Sequence, residues 1–425
     1  MSMLFNGKPR VALRSWVVSL KLCLASLVLL LPPGGLVAAE EVSSDAVFDR
    51  VWRHAKLYDN PDSLVSLFAL SGRLQMDSVW FSADADDLPP DADNKYNELI
   101  WRRFRFGFKM KFGDGWSAAL EGDFNLNDEL SDFYNRLTDA YVGYSPSEVW
   151  AVKVLKQSAG FTLDGATSSK KLLTMERNNV TNNLWFTNEY FVGLHVGGTV
   201  DERWSYRAGV FSGGNDEEFG FEDEEVLGQV GYFSLLSLGY NFAQSMAMDD
   251  AMVRVDYVYN RKDEDNPVDL EQNGTRNFDH VVTVATKWEK NGWGLWTDLS
   301  AGHGIVAQSN VVGLALMPFY TFNEHHQVVL RYTYVASSDD NGVRLGRYEN
   351  RIVDSDLERG DGTTIFGDDR GDRYNEVYVG YNLLFYGHKL KWQTGLQYAK
   401  MNDNADDDGA YDGWGLSTGL RMYWY

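Results

Sequence analysis

A row of basic residues is the first feature of this sequence with evident chemistry. Within the stretch 97–112, four cations recur at every second position and are interrupted only by Gly107: Arg103, Arg105, Lys109 and Lys111. Successive side chains of an extended strand point to opposite faces, so these four share one face. Guanidinium and ammonium groups bind phosphate and other oxyanions, and guanidinium does so through two parallel hydrogen bonds. The face therefore favours anion binding.

The opposite face of the same stretch is apolar. Its members are Ile100, Phe104, Phe106, Phe108, Met110 and Phe112, and strict alternation places Arg102 with them. Six further cations lie opposite the apolar row of their own stretch: Arg207, Arg254, Arg331, Lys389, Lys391 and Arg421. Cations that face a narrow water-filled tube raise the local anion concentration, and rings of Arg and Lys line anion pores. The pattern predicts an anion-preferring lumen.

A period of two recurs through the chain after residue 63 and predicts antiparallel strands. The predicted strands are 64–82, 97–112, 116–126, 136–144, 150–157, 189–198, 203–212, 227–240, 251–260, 278–290, 293–302, 311–322, 326–336, 373–386, 388–400 and 413–425. An even number suits an outer-membrane barrel, and roughly 16 to 18 strands leave an aqueous channel. We therefore expect an all-β fold, a transmembrane antiparallel β-barrel of sixteen strands.

The connections between predicted strands alternate in length. Short turns such as 113–115, 291–292 and 323–325 follow even-numbered strands, and long loops follow odd-numbered strands. Short turns of such barrels face the periplasm and long loops face outward. The third long loop, 158–188, is polar and carries few charges, and a loop of this length indicates a functional role. We expect this loop to fold into the barrel and narrow it.

Composition and the N-terminus agree with an exported membrane protein. Aromatic residues make up 14% of the 425 residues, including 14 Trp and 23 Tyr, which suits a lipid-facing surface with aromatic girdles. Residues 1–39 have a basic start, an apolar run from Leu22 to Leu31 and a small-residue site at Val37 to Ala39, which predict a signal peptide cleaved after Ala39. Residues 40–62 are interpreted as a periplasmic segment with a short amphipathic helix, and 63–425 as the barrel.

Charge and cysteine use restrict the partners. Cleavage removes four basic and no acidic residues, so the mature net charge is 35 − 61 = −26, which disfavours nucleic acid. The only cysteine, Cys23, lies in the signal peptide, so no disulfide is expected. The acids concentrate in the long loops, where divalent cations could bridge them to lipopolysaccharide phosphates. The run from Asn404 to Gly409 is similar to a calcium loop but lacks the closing Glu, so no metal site or cofactor is predicted.

Several spaced motifs resemble the phosphate-selective porin O/P family of Gram-negative outer membranes. They are Gly72-Arg-Leu-Gln75, Trp101-Arg-Arg-Phe104, Thr138-Asp-Ala140, Ala166-Thr-Ser-Ser-Lys170 and Glu176-Arg-Asn178, and the similarity runs from about Leu70 to Gly198. The resemblance implies a sixteen-stranded trimeric channel whose third loop folds inward to form a basic constriction. The C-terminal strand, which ends on Trp424 and Tyr425, resembles the strand that such proteins present to the barrel assembly machinery.

The resemblance also implies a set of anion contacts at the constriction. These are Arg73, Arg102, Arg103, Ser168, Ser169 and Arg177, and Arg105 and Lys170 join them as neighbouring cations. The implied role of Arg102 conflicts with strict alternation; a bulge that turns it inward, or a side chain that reaches toward an interface, would reconcile the two. Gly165 stands where phosphate-specific members carry a Lys, and Thr138 stands where they carry an acid.

Three other functions compete with that of a phosphate-type anion porin. A general porin for carboxylates, sulfate or sugars has the same fold and stays open. An enzyme is disfavoured because none of His195, His280, His303, His325 and His326 adjoins a nucleophile or metal-ligand pattern. A purely structural or adhesive barrel would have little use for an inward loop and a row of inward cations.

Overall fold

The computed structural model describes residues 44–84, 86, 88, 93–186, 189–213, 231–261, 275–305, 308–353, 370–406 and 409–425. The chain divides into two compact units, Met1–Asp49 and Arg50–Tyr425, and the first is described only from Ser44 onward. The predicted signal peptide therefore lies outside the described residues and stays a prediction. Everything that follows concerns the second unit.

Strands dominate this unit. They are β1 Lys56–Asp59, β2 Val65–Ala83, β3 Lys95–Phe112, β4 Trp116–Phe124, β5 Tyr134–Tyr144, β6 Ala151–Ser158, β7 Tyr190–Val200, β8 Trp204–Ser212, β9 Tyr232–Asn241, β10 Asp250–Arg261, β11 Phe278–Lys290, β12 Trp293–Gly304, β13 Val311–Thr321, β14 His326–Ser337, β15 Val343–Arg344, β16 Arg370–Gly371, β17 Arg373–Tyr386, β18 Leu390–Asn402 and β19 Tyr411–Trp424. The helices are α1 Ser44–Arg53, α2 Leu163–Ala166, α3 Asn179–Leu184, α4 Ala243–Met246 and α5 Arg347–Val353, with a 3-10 turn at Leu130–Asp132. No helix within the described ranges is both long and apolar enough to cross a membrane.

Sixteen of the strands close into an antiparallel barrel. Each pairs with the next along the chain, and β19 returns to β2 through a register that runs from Gly413 opposite Ala83 to Trp424 opposite Gly72. The short β1 is a seventeenth strand, paired with the start of β2, and β15 and β16 form a separate two-stranded ribbon. Closure leaves no open edge. A sheet in hydrocarbon must be closed in this way, because an unpaired backbone group cannot bond to water there. The predicted sixteen-stranded barrel is confirmed; the eighth barrel strand begins at Tyr232, and the part predicted before Gly231 lies outside the described residues.

Aromatic side chains gather outside the barrel at its short-turn end. Trp116, Trp204 and Trp293 are exposed, and each ring contacts a tyrosine of the neighbouring strand with centroids 4.5 to 4.7 Å apart. Their partners are Tyr144, Tyr240 and Tyr320. Amphipathic rings favour the boundary between hydrocarbon and water. The sequence pattern of strands thus yields an apolar outer wall bounded by an aromatic belt.

A β-bulge in β3 changes the facing of two predicted residues. Gln75 pairs with Arg103 and Met76 pairs with Trp101, so Arg102 is an extra residue without a pairing partner. A bulge places two successive residues opposite one, and side chains beyond it change faces. Arg102 therefore joins Arg103 inside the barrel, and Ile100 packs against the interior apolar cluster. The assignment of Arg102 and Ile100 to the lipid face by strict alternation was wrong for this reason.

The third loop packs against strands of the barrel. Its α3 presents Val180 and Leu184 to β12 and β13, where Gly302 and Gly313 leave room. A Cβ at Gly313 would lie 2.8 Å from Val180 Cγ1, and one at Gly302 would lie 2.6 Å from Leu184 Cδ2. A second apolar cluster joins the loop to the wall through Leu163, Leu173, Ala285, Trp296, Met317, Phe319 and Val329. These contacts bury the apolar face of the loop and leave its polar face toward β3 to β5.

Candidate solute-binding site inside the barrel

Cations of the barrel wall hold the third loop through its backbone carbonyls. Arg254 Nη2 donates to Thr162 O at 2.7 Å, Lys391 Nζ to Leu172 O at 2.7 Å, Arg331 Nη1 to Glu176 O at 2.8 Å and Arg421 Nη2 to Met175 O at 3.2 Å. Arg207 likewise donates to Gly160 O. We call these five residues the tethering cations. They belong to the six cations predicted to face the lumen; the sixth, Lys389, lies in the turn before β18, with its Nζ 4.7 Å from the Tyr386 ring centroid.

Local capping explains the conformation of the loop. The Thr162 Oγ1 accepts a hydrogen bond from Gly165 N and starts α2, and the Asn178 Oδ1 accepts one from Thr181 N at 2.9 Å and starts α3. Thr and Asn favour these positions because their short side chains satisfy free N–H groups at helix starts. The Asp164 carboxylate joins the two turns by accepting from Asn178 N at 2.9 Å and from Asn178 Nδ2 at 2.8 Å. The loop is thus a folded unit whose polar groups bond within it.

A polar cavity of about 630 Å³ lies between β3 to β5, the third loop and α5. Eight arginines and five carboxylates line it. The arginines are Arg102, Arg103, Arg105, Arg136, Arg177, Arg276, Arg347 and Arg351, and the acids are Glu98, Asp123, Asp128, Glu176 and Glu189. The lining therefore carries a net positive charge, in a chain whose overall balance is acidic.

Three of the cavity arginines are matched by carboxylates. Arg102 binds Glu176 through two hydrogen bonds, with Nε–Oε1 at 2.5 Å and Nη2–Oε2 at 2.9 Å. Arg105 Nε lies 3.1 Å from Asp123 Oδ2, and Arg177 Nη2 lies 3.2 Å from Glu189 Oε1. Arg177 also packs over the Trp185 ring, 4.5 Å from its centroid. Charge-assisted pairs of this kind are short and directional, so they fix the wall of the cavity.

The two loop carboxylates remain ionised in these pairs. Burial alone would raise the pKa of Glu176 and of Glu189, but neighbouring arginines outweigh it. Arg102 is the main cause for Glu176 and Arg177 for Glu189, and both pKa values lie well below the usual range of a glutamate. These acids are therefore fixed counter-charges rather than proton donors.

The other arginines of interest lack such partners. Arg103 Nη1 donates to Gln75 Oε1 at 2.8 Å, and no described carboxylate lies within 4.0 Å of its guanidinium nitrogens. Arg347 and Arg351, one turn apart on α5, likewise form no ion pair with any described residue. Their charge faces the cavity from the wall opposite β3. Unpaired guanidinium groups on two walls give the cavity the chemistry of an oxyanion site.

The remaining predicted contacts lie outside the cavity lining. Arg73 Nη1 donates to Ser169 Oγ at 2.6 Å and Nη2 pairs with Glu121 Oε1 at 3.1 Å. Lys170 Nζ donates to Tyr425 O at 3.3 Å, and burial followed by the nearby Arg73 lowers the pKa of Lys170 to about 7. Ser168 is exposed and its hydroxyl accepts from the backbone N–H of Lys170, not from an arginine.

The structure therefore divides the predicted set. Arg102, Arg103, Arg105 and Arg177 share the cavity, whereas Arg73, Ser169 and Lys170 form a neighbouring cluster, which Ser168 joins only through the Lys170 backbone N–H. Sequence reasoning missed Arg347 and Arg351 because they lie in the long connection 337–372, where strand periodicity is absent. Their spacing of four residues, around Tyr348, is a helical signal that could have found them.

Comparison with solved structures shows which proteins share this fold. The chain is similar to the outer-membrane channel DcaP of Acinetobacter baumannii (11% identity, 84% of this chain and 97% of that chain, TM-score 0.53). It is also similar to an anion-selective porin from Comamonas acidovorans (11%, 84% and 99%, TM-score 0.55) and to OprB of Pseudomonas putida (12%, 84% and 94%, TM-score 0.53). These similarities show a porin barrel, and comparison with curated protein sequences gives no match.

A family model matches part of the sequence. Residues 68–227 match the family described as phosphate-selective porin O and P, which confirms the resemblance carried by the motifs. The family match and the fold support an outer-membrane channel. No group of three or more His, Cys, Asp or Glu side chains within the described part of the chain is arranged to hold a metal ion.

Proposed function

We propose that the barrel conducts small anions such as phosphate or polyphosphate by passive, anion-selective diffusion. The observation that carries the proposal is the charge of the cavity, where eight arginines face five carboxylates and Arg103, Arg347 and Arg351 are unmatched. An ion passing through must be bound strongly enough to enter and weakly enough to leave. Unmatched guanidinium groups attract the anion, and the ionised Glu176 and Glu189 limit how tightly it is held.

The proposed pathway runs between β3 and the polar face of the third loop, which narrows the lumen. Arg102, Arg103 and Arg105 line it from β3 and Arg177 lines it from the loop, and Arg73, Ser169 and Lys170 supply further donors beside it. Ser168 is exposed and could complete the shell of a passing ion. Arg103 carries most weight in this proposal, because its neighbours in the predicted set are engaged with acids.

A general porin for carboxylates, sulfate or sugars is the second candidate. It is favoured by the tethering cations, whose hydrogen bonds go to loop carbonyls and not to the open space. Gly165 and Thr138, which replace the Lys and the acid of phosphate-specific relatives, favour it as well. The two candidates have the same architecture and differ in whether added phosphate decreases the current through the channel.

Assembly and location are proposed on similar grounds. We expect cleavage after Ala39, insertion by the barrel assembly machinery, contact with outer-membrane lipid and lipopolysaccharide, and a homotrimer. Among the similar solved structures is a trimer form of OmpT of Vibrio cholerae (13% identity, 84% of this chain and 99% of that chain, TM-score 0.53). Mass measurement of the purified protein in detergent would test the trimer.

Conductance in planar bilayers tests the function directly. We expect a reversal potential that reports anion preference in a KCl gradient, and a decrease in current when phosphate is added. Arg103→Gln should lower the anion preference, whereas Arg203→Gln, in an exposed turn remote from the cavity, should leave it nearly unchanged. Cation preference of the unaltered channel would overturn the proposal, and anion preference without phosphate block would favour the general porin.

A further inference from the structure

Helix α5 forms one wall of the cavity. The Glu349 side chain is buried and accepts hydrogen bonds from Tyr374 Oη at 2.8 Å and from Gln397 Nε2 at 2.7 Å. The neighbouring Tyr348 donates from its hydroxyl to Asp77 Oδ2 at 3.1 Å and packs its ring against Phe81, with centroids 5.3 Å apart. These contacts attach α5 to β2, β17 and β18. The part of the helix that carries Arg347 and Arg351 is therefore attached to the barrel wall.

Three guanidinium groups without an ion-pair partner among the described residues line this cavity. Arg103 comes from β3, and Arg347 and Arg351 come from one face of α5. The Arg102–Glu176 pair adjoins them, and the Arg102 guanidinium, followed by burial, lowers the pKa of Arg347 below its usual value. Cations that repel one another in a confined site favour a bound dianion, because its two charges offset the repulsion. A monocarboxylate would offset less of it.

The rest of the lining is suited to an uncharged body. Asn135 and Asn182 line the cavity, and their side chains have no hydrogen-bond partner among the described residues. Tyr96 and Tyr348 stack, with ring centroids 6.2 Å apart and an interplanar angle of 20°. Amides bind hydroxyl groups through both donor and acceptor atoms, and aromatic faces pack against the carbon faces of a ring. Inorganic phosphate could accept from an amide but has no carbon face to pack against the rings.

The size of the cavity also favours an organic ligand. The cavity volume of about 630 Å³ falls within the range of about 300 to 1,000 Å³ that is typical of sites for organic ligands. Inorganic phosphate would contact only one part of such a lining. An ester could contact the guanidinium groups and the amides together.

We propose that this cavity binds phosphate monoesters with a hydroxylated body. The phosphoryl group lies between Arg103 and the pair Arg347 and Arg351, and the organic body lies against Asn135, Asn182 and the tyrosine rings. This inference rests on the proposed function, because it names the solute class of the same pathway. The ester passes unchanged, and no covalent step occurs.

Current block measured with three solutes tests the inference. Inorganic phosphate, glucose phosphate and free glucose are titrated against single channels in KCl. We expect glucose phosphate to reach half-block at a concentration about tenfold below that of inorganic phosphate, since two or more additional hydrogen bonds are made. Free glucose should block weakly, because it lacks the dianion.

Variants assign the block to the cavity. The double variant Arg347→Gln/Arg351→Gln should raise the half-block concentration of the ester about tenfold, and Arg203→Gln should leave it unchanged. Asn182→Ala, which retains every charge, should weaken block by the ester but not by inorganic phosphate. This second variant keeps the test decisive if the double variant does not fold, which a heat-dependent gel shift would reveal.

The outcomes separate this inference from the function on which it rests. Equal block by ester and inorganic phosphate, or ester block that all variants leave unchanged, would overturn the ester site while an anion-selective reversal potential upheld the porin. A cation-selective reversal potential of the unaltered channel would overturn both.

Discussion

Arg102 and Glu176 are joined across the lumen by two parallel hydrogen bonds, 2.5 and 2.9 Å long. Arg102 is the extra residue of a bulge in β3, and Glu176 lies in the third loop opposite it. The bulge therefore turns an arginine inward where it fixes the polar face of the loop. Glu176 brings a negative charge into a basic cavity. The pair therefore both positions the loop and reduces the positive potential of the cavity.

Removing the carboxylate charge should strengthen anion preference. Glu176→Gln keeps the size of the side chain but leaves the Arg102 charge unmatched. A unit charge about 4 Å from an ion in water-like surroundings changes its energy by roughly 1 kcal/mol, which corresponds to about fivefold in occupancy. We expect the reversal potential in a KCl gradient to shift toward the anion limit by a comparable change in permeability ratio. Glu148→Gln, in an exposed turn, is the control; a shift toward cations would contradict the role given to Glu176.

The barrel could be predicted from the sequence, but the facing of individual arginines could not be predicted in full. A period of two needs only residue types, and it located sixteen strands between residues 63 and 425. One extra residue at Arg102 reverses the phase of everything before it in β3, and no residue type marks that insertion. The family resemblance placed Arg102 inside because it compares positions and does not assume regular alternation.

Loss of one partner of a buried ion pair at the barrel seam should destabilise the fold strongly. Arg421 of β19 forms two hydrogen bonds to Asp77 of β2, and both side chains are buried. Arg421→Met leaves the Asp77 carboxylate buried without its cation, which typically costs about 3 to 5 kcal/mol. Urea unfolding of the protein in lipid or detergent would measure this loss.

Two further variants test whether the loss of stability comes from the unpaired buried charge. Adding Asp77→Asn to Arg421→Met should recover part of the stability, because no buried charge remains. Lys400→Met removes an exposed pair with Asp412 and should cost less than about 1 kcal/mol. Equal loss in Arg421→Met and Lys400→Met would show that the seam pair contributes no more than an exposed pair does.

Position 165 tests how far the family resemblance extends. Phosphate-specific relatives carry a Lys where this chain has Gly165, but a Cβ here would lie 2.7 Å from Thr162 Oγ1 and 3.0 Å from the Trp185 ring. The same ring packs under Arg177. We therefore expect Gly165→Lys to displace Trp185 and Arg177 and to weaken phosphate block severalfold. Gly165→Ala, with the same Cβ and no charge, should act alike; stronger block in the Lys variant alone would contradict this account.

The third loop and α5 show where prediction from one sequence ends. The length of the loop marks it in the sequence. Its backbone carbonyls accept hydrogen bonds from the tethering cations, and no residue type indicates which carbonyls do so. Strand alternation predicts that Arg331 and Lys391 face the interior. The carbonyl to which each donates depends on where the loop backbone lies, which alternation does not predict. Glu349 and Glu376, buried near each other, are likewise visible only once α5 is placed on β17.

That pair of carboxyl groups predicts a pH-dependent attachment of α5. Burial, followed by the Glu376 charge, raises the pKa of Glu349 to about 7. Tyr374 donates to Glu349, Tyr411 lies nearby, and Arg331 is engaged by Glu376. A glutamate in the undocked loop has a pKa of about 4.3. Attachment is therefore fully favoured below that value, weakens as the pH rises to about 7, and stays weak above it.

Single-channel recording between about pH 5 and pH 8 measures this effect. The raised pKa corresponds to roughly 3 kcal/mol lost from α5 attachment across this range, so the current should become noisier and larger as α5 leaves the cavity wall. Glu349→Gln, whose Oε1 can still accept from Tyr374 and Gln397 but which loses the bond from Gly346 N and cannot ionise, should remove most of the pH dependence. Glu324→Gln, in an exposed turn, should retain it. An unchanged pH profile in Glu349→Gln would assign the effect to another group, of which Lys170, with a pKa lowered to about 7, is the first to test.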